Sequence, residues 1–192
     1  MIILQESKFE LLLEMGVLAF VDGYYREAVA SLAASIERLY EFYIFAVAQN
    51  RGINEVEISS TWKNVKNQSE RQIGAFLFLY LLENGKRPEV LSNRFTEFRN
   101  NVIHKGYFPT KDEVIEYGEV IVQIMDNIMN LLVTNYKDSV LKLQTEVQRE
   151  FIKRCEGKHY SIMTVPTSIC LSRPSLIGTR SFIDMVNERI GF

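Results

Sequence analysis

Apolar residues recur along most of the chain at three- and four-residue intervals, the spacing that lays one apolar stripe along an α-helix. Over residues 2–20 the stripe is Leu4, Leu11, Leu12, Met15, Leu18 and Ala19, and Ser7 with Glu10 has the spacing of a capping box. Over 24–50 it is Tyr25, Ala28, Val29, Leu32, Ile36, Leu39, Tyr43 and Val47, with Glu27, Glu37, Arg38 and Glu41 mostly off it. The aromatic cluster Tyr40, Phe42, Tyr43 and Phe45 reads as core or dimer packing. Residues 68–84 give a helix whose second half is so apolar that it should be buried nearly all round or lie at a subunit interface. A stop at Asn84-Gly85-Lys86-Arg87-Pro88 precedes a helix over 89–105. Thr110 to Glu113 then caps a last long helix reaching to about Phe151.

Two stretches break this pattern. Residues 51–67 are polar, with a short helix opened at Trp62 after Ser59-Ser60-Thr61. They read as a connector packed down by Trp62, or as a cleft lining with Lys63 and Lys66 facing a ligand. After Arg154 the helical period fades. Tyr160 to Leu171 is β-rich in composition and interrupted by Pro166, and Ser181 caps a short helix over 182–190. The pattern predicts an all-α body over 1–152 and an irregular C-terminal extension over 153–192, which docks on the body, swaps between protomers or holds a partner.

Composition adds bounds. An apolar fraction of 47% and a charged fraction of 24% are those of a globular protein, and a net charge of −2 gives no global basic footprint. Locally, Lys86, Arg87, Arg94, Arg99, Lys105 and Lys111 face only Glu89 and Glu97. That stretch is either a solvated helix–loop region or a phosphate-attracting patch. Cys155 and Cys170 form no disulfide framework, and Cys155 with His159 supplies too few ligands for a metal site. No cofactor or metal is expected. With neither a secretory leader nor an apolar run of transmembrane length, the expected location is cytoplasmic, without a membrane partner.

The chemistry gathers at Glu97-Phe98-Arg99-Asn100-Asn101-Val102-Ile103-His104-Lys105-Gly106-Tyr107. At about 100° per residue, Asn100 and His104 lie roughly 40° apart, whereas Arg99 is roughly 140° from His104. Within one chain that separation is awkward. Across a two-fold axis, two such helices pool two Arg and two His in one cleft. The groups suit phosphodiester cleavage: His104 as general acid or base, Arg99 as a planar fork for the phosphate, Asn100 to orient either. Lys105, Tyr107 and Arg94 are the accompanying candidates for substrate contact.

Arg99-Asn100, three residues, then His104 resembles the motif of the HEPN family (higher eukaryotes and prokaryotes nucleotide-binding domains). The stretch Phe20-Val21-Asp22-Gly23-Tyr24-Tyr25-Arg26-Glu27-Ala28-Val29, followed by Ser31-Leu32 and Ile36-Glu37, is similar to that family's helix junction. The resemblance covers roughly residues 1–150. It implies an up-and-down bundle of four or five helices that dimerises through the motif helices. It also implies a metal-independent endoribonuclease of the toxin or phage-defence kind, acting on RNA and leaving 2′,3′-cyclic phosphate and 5′-OH ends. Other members of the family are non-catalytic binding modules. One subgroup pairs with an antitoxin that modifies a Tyr two residues after the His; here Tyr107 follows His104 by three. An antitoxin or regulatory protein is a further partner that the resemblance implies.

Overall fold

The computed structural model describes residues 2–191; Met1 and Phe192, the outer ends of the two expected regions, lie outside the described residues. The described residues are all-α apart from one small sheet. In order come β1 (Ile2–Leu4), α1 (Lys8–Val21), α2 (Tyr25–Asn50), α3 (Glu55–Val65) and α4 (Ser69–Asn84). Then follow α5 (Asn93–His104), α6 (Lys111–Asn135), α7 (Lys137–Arg154), β2 (Ser161–Met163), a 3-10 turn (Pro174–Leu176) and α8 (Phe182–Ile190).

The central element is α2. Its stripe of Ala28, Val29, Leu32, Ile36, Leu39, Tyr43 and Val47 is buried, and α1, α4, α5, α6 and α7 all pack against it. α6 adds Val114, Tyr117, Ile121, Met125, Ile128 and Leu132 at helical spacing. Rings fill the end of the bundle near α4: Tyr40 stacks on Phe76 at 4.2 Å, and Tyr43 meets Phe76 edge-on at 5.4 Å. Of the aromatic cluster on α2, Tyr40 and Tyr43 are buried in the core, while Phe42 and Phe45 are half-buried, Phe42 packed edge-on to the core residue Phe9 at 5.4 Å.

Several expectations are corrected. Residues 2–4 do not begin the first helix. They form a strand that pairs in parallel with Ser161–Met163, and α1 starts after Ser7, whose N–H donates to Glu10 at 2.6 Å. The connector helix starts at Glu55 rather than Trp62, capped by the Asn54 side chain, and Trp62 packs edge-on to Phe45 at 5.6 Å. The motif helix starts at Asn93, not residue 89. The last long helix is two helices that break at Tyr136, whose ring is drawn in against Tyr43 at 6.0 Å. The second half of α4 is not buried all round: Phe76 and Tyr80 are buried, but Phe78 is 72% and Leu82 74% exposed.

The residues after 153 join the same core. Ile169, Leu171, Ile177, Phe182, Met185 and Val186 are buried in it. Glutamates of the body hold their backbone. Glu10 accepts the N–H of Leu171 at 2.6 Å, Glu14 that of Ser168 at 2.8 Å, and Glu119 those of Phe182 and Ile183 at 2.9 and 3.0 Å. Glu14 also takes Nε of Arg189 at 2.7 Å.

Candidate functional site

The motif helix α5 lies against α2, and this contact decides where Arg99 goes. The Arg99 guanidinium forms an ion pair with the Glu37 carboxylate of α2, and its Nη1 donates to Asn100 Oδ1 at 2.8 Å. Both charged side chains are mostly enclosed, at 17% and 21% exposure. An enclosed guanidinium needs such partners, because burying a charge unpaired is costly. The Asn100 carboxamide thus orients the arginine.

Arg99 and Glu37 line a cavity of about 130 Å³, together with Tyr40, Tyr117, Val90 and Leu91. Tyr117 is fully buried, and its hydroxyl has no hydrogen-bond partner among the described residues. Burial pushes the Tyr40 and Tyr117 phenols well above their ordinary range. The Glu37 charge adds to this for both, while the Arg99 cation opposes it for Tyr117. Both hydroxyls therefore stay protonated and can donate. One small space brings together a planar cation, phenolic O–H donors and a carboxylate acceptor. Such a set can hold phosphate oxygens or ribose hydroxyls.

His104 is the last residue of α5. It is exposed, lines neither this cavity nor the larger one at the other face of α2, and its imidazole makes no hydrogen bond or ion pair among the described residues. Gly106, at φ 71°, turns the chain away, and the Tyr107 N–H closes the helix end on Asn101 O at 3.1 Å. Arg99 and His104 share no hydrogen bond. Five residues of helix separate them by about 7.5 Å of rise and about 140° of turn.

The accompanying candidates are less free than the sequence suggests. Arg94 makes a two-pronged pair with Glu116 at 2.6 and 2.5 Å, and its guanidinium lies over the Phe95 ring. The Tyr107 hydroxyl donates to Glu113 at 2.8 Å, and that bond to a carboxylate raises its phenol above the usual range. Lys105 is exposed. Two of the six bases between Lys86 and Lys111 are thus matched by Glu37 and Glu116, acids outside that stretch, so the local positive balance is smaller in space than in sequence.

Glu37, Tyr40 and Tyr117 are the site residues that sequence reasoning missed. One signal was present for Glu37. Ala33, Ile36, Glu37 and Tyr40 fall at i, i+3, i+4 and i+7, which sets a carboxylate in an apolar stripe. Among the described residues, no three His, Cys, Asp or Glu side chains gather in a metal-holding group, and no helix is long and apolar enough to cross a membrane. No family model matches the chain, nor does any curated protein or solved structure.

Proposed function

We propose that the chain is a metal-independent endoribonuclease of the HEPN kind, acting as a homodimer and serving as a toxin or phage-defence effector. The observation that carries this reading is the Arg99 guanidinium, fixed by Glu37 and Asn100 beside two donor phenols, with an uncommitted, exposed His104 ending the same helix. In this scheme one His104 imidazole takes the proton of a ribose 2′-OH. The 2′-oxygen attacks the adjacent phosphorus, and Arg99 stabilises the charge that gathers on the non-bridging oxygens. The 5′-oxygen leaves with a proton from an imidazolium, which leaves a 2′,3′-cyclic phosphate and a 5′-OH. The separation of Arg99 and His104 along α5 supports a composite site, where the imidazole of one copy meets the guanidinium of the other. Phe108, 81% exposed just beyond His104, is an apolar group that a second copy would cover.

The Arg99–Glu37 pair also favours a second reading, a non-catalytic dimer that binds RNA, nucleotide or a regulatory protein. There the arginine is a fixture of the bundle, and the exposed motif end is a recognition surface. Incubating the purified dimer with mixed cellular RNA in EDTA, beside His104→Ala, separates the two. Cleavage that leaves cyclic-phosphate ends and is lost in the variant is the expected result. RNA retained uncut and equally by both proteins would replace the enzyme with the binding module.

A further inference from the structure

The apolar second half of α4 is only partly used by the bundle. Its inner face gives Phe76 and Tyr80 to the core, whereas Phe78, Leu81 and Leu82 are exposed. Arg71, Gly74, Phe78 and Leu81 step by three, four and three residues, so they run along one side of the helix, with Leu82 beside them. Gly74 is the unusual member. A glycine inside a helix weakens it relative to alanine, and the fold does not call for one here: no heavy atom lies within 4 Å of where its Cβ would stand. An exposed apolar stripe with one hollow in it suits a second helix that places a side chain in the hollow.

The helix that fits is α4 itself. Two copies laid antiparallel about a two-fold axis through Phe78 bring together residues equally far before and after it. Gly74 and Leu82 each lie four positions, about 6 Å of rise, from that axis. They meet twice, the leucine of each copy over the glycine of the other. Glu70 and Lys86 each lie eight positions from it, and they also meet twice. Both are exposed, and neither makes an ion pair among the described residues. Packing and charge thus select the same register. An axis through Tyr80 instead would set Gly74 against Lys86 and leave Glu70 facing Val90, without a cation. The steps of three and four favour a shallow crossing of about 20°, which keeps the two ends within side-chain reach.

We propose that this face of α4 is an isologous contact between two copies of the chain. It does not rest on the ribonuclease reading, because no residue of the contact belongs to the motif. With this contact alone the chain is a dimer. With the motif ends associated as well, the two contacts build a tetramer. Removing the α4 contact halves the mass in either case.

The test is the mass of the purified full chain in solution, by sedimentation over a range of concentrations, against 22.3 kDa for one copy. The parent should reach a multiple of that mass. Leu82→Glu should halve it, while circular dichroism shows the helices intact, because the position is exposed. The same halving is expected in a Phe108→Glu background, which separates this contact from the motif end. Glu70→Lys and Lys86→Glu should each raise the dissociation constant about tenfold, by setting like charges together at two symmetric places. The double variant should restore it, because Glu70 of one copy meets Lys86 of the other. A chain that keeps the single-copy mass at the highest concentration would leave the face to a different protein and overturn the proposal. So would a mass unmoved by Leu82→Glu, or a double variant that associates no better than the single ones.

Discussion

The Tyr117 hydroxyl costs stability where it stands. Its ring is buried against Phe98 at 5.5 Å and Phe95 at 6.1 Å, and its oxygen has no hydrogen-bond partner among the described residues. An unpaired buried hydroxyl costs about 1–3 kcal/mol. Tyr117→Phe should therefore fold at least as stably as the parent in urea, gaining up to about 1 kcal/mol. On the ribonuclease reading proposed above, cleavage should fall about tenfold, the worth of one hydrogen bond to substrate. A loss of stability with unchanged cleavage would make the hydroxyl a packing feature. Glu37 behaves oppositely, because Arg99 depends on it. Glu37→Gln keeps an acceptor but removes the countercharge from a mostly enclosed pair. It should lower stability by about 1–3 kcal/mol and, on the proposed ribonuclease reading, cleavage with it. A cleavage assay run at temperatures where both proteins remain folded separates the two effects.

At the scale of elements, α6 and α8 meet closely at one glycine. A Cβ at Gly118 would come within 2.5 Å of the Phe182 ring, which lies over the α6 backbone at that point. Phe182 in turn meets Phe20 of α1 edge-on at 5.5 Å. Gly118→Ala must push α8 outward and should cost about 1–3 kcal/mol, the usual price of overpacking. Thermal unfolding measures it, and pairing the change with Phe182→Leu should recover part of the loss. This junction was not legible in the sequence, because a glycine inside a helix does not announce the ring that needs it. What was legible followed from local rules. The stripe of α2, the capping residues Ser7, Thr110 and Ser181, and the left-handed closure at Gly106 each depend on residues within a few positions. The strand Ile2–Leu4 depends on Ser161–Met163, far along the chain, and its apolar residues fit a helical period equally well. The break at Tyr136 carries no Gly or Pro; the ring's place beside Tyr43 makes it. The motif residues read as a group along the sequence, but His104 does not line the cavity that Arg99 lines, and the partner of Arg99, Glu37, sits on a different helix.

For the whole molecule, buried carboxylates make the attachment of the C-terminal residues sensitive to pH. Glu10 of α1 accepts the N–H groups of Leu171 and Ser7, yet burial raises its carboxyl above the usual range by more than those bonds lower it. Asp126 of α6, bonded to the Gly178 backbone and close to Arg180, is raised for the same reason. The sign follows from proton binding. Between the ordinary carboxylate value and the raised one, the native chain holds a proton that the unfolded chain has released. Stability contributed by these groups is present at the acidic end of that window and is lost as pH rises through the folded value. Most paired carboxylates act in the opposite sense, losing stability as pH falls, so Glu10 and Asp126 offset part of ordinary acid destabilisation. Urea unfolding across the window, with Glu10→Gln beside the parent, isolates the Glu10 share. The amide turns an N–H toward either Leu171 or Ser7, so the variant should be weaker by about 1–3 kcal/mol at the acidic end. It has no proton to lose there, so the gap should narrow as pH rises. A gap that widens with pH would mean that Glu10 clamps Leu171 mainly as a favourable charge, and that its burial is outweighed by the two N–H groups it accepts.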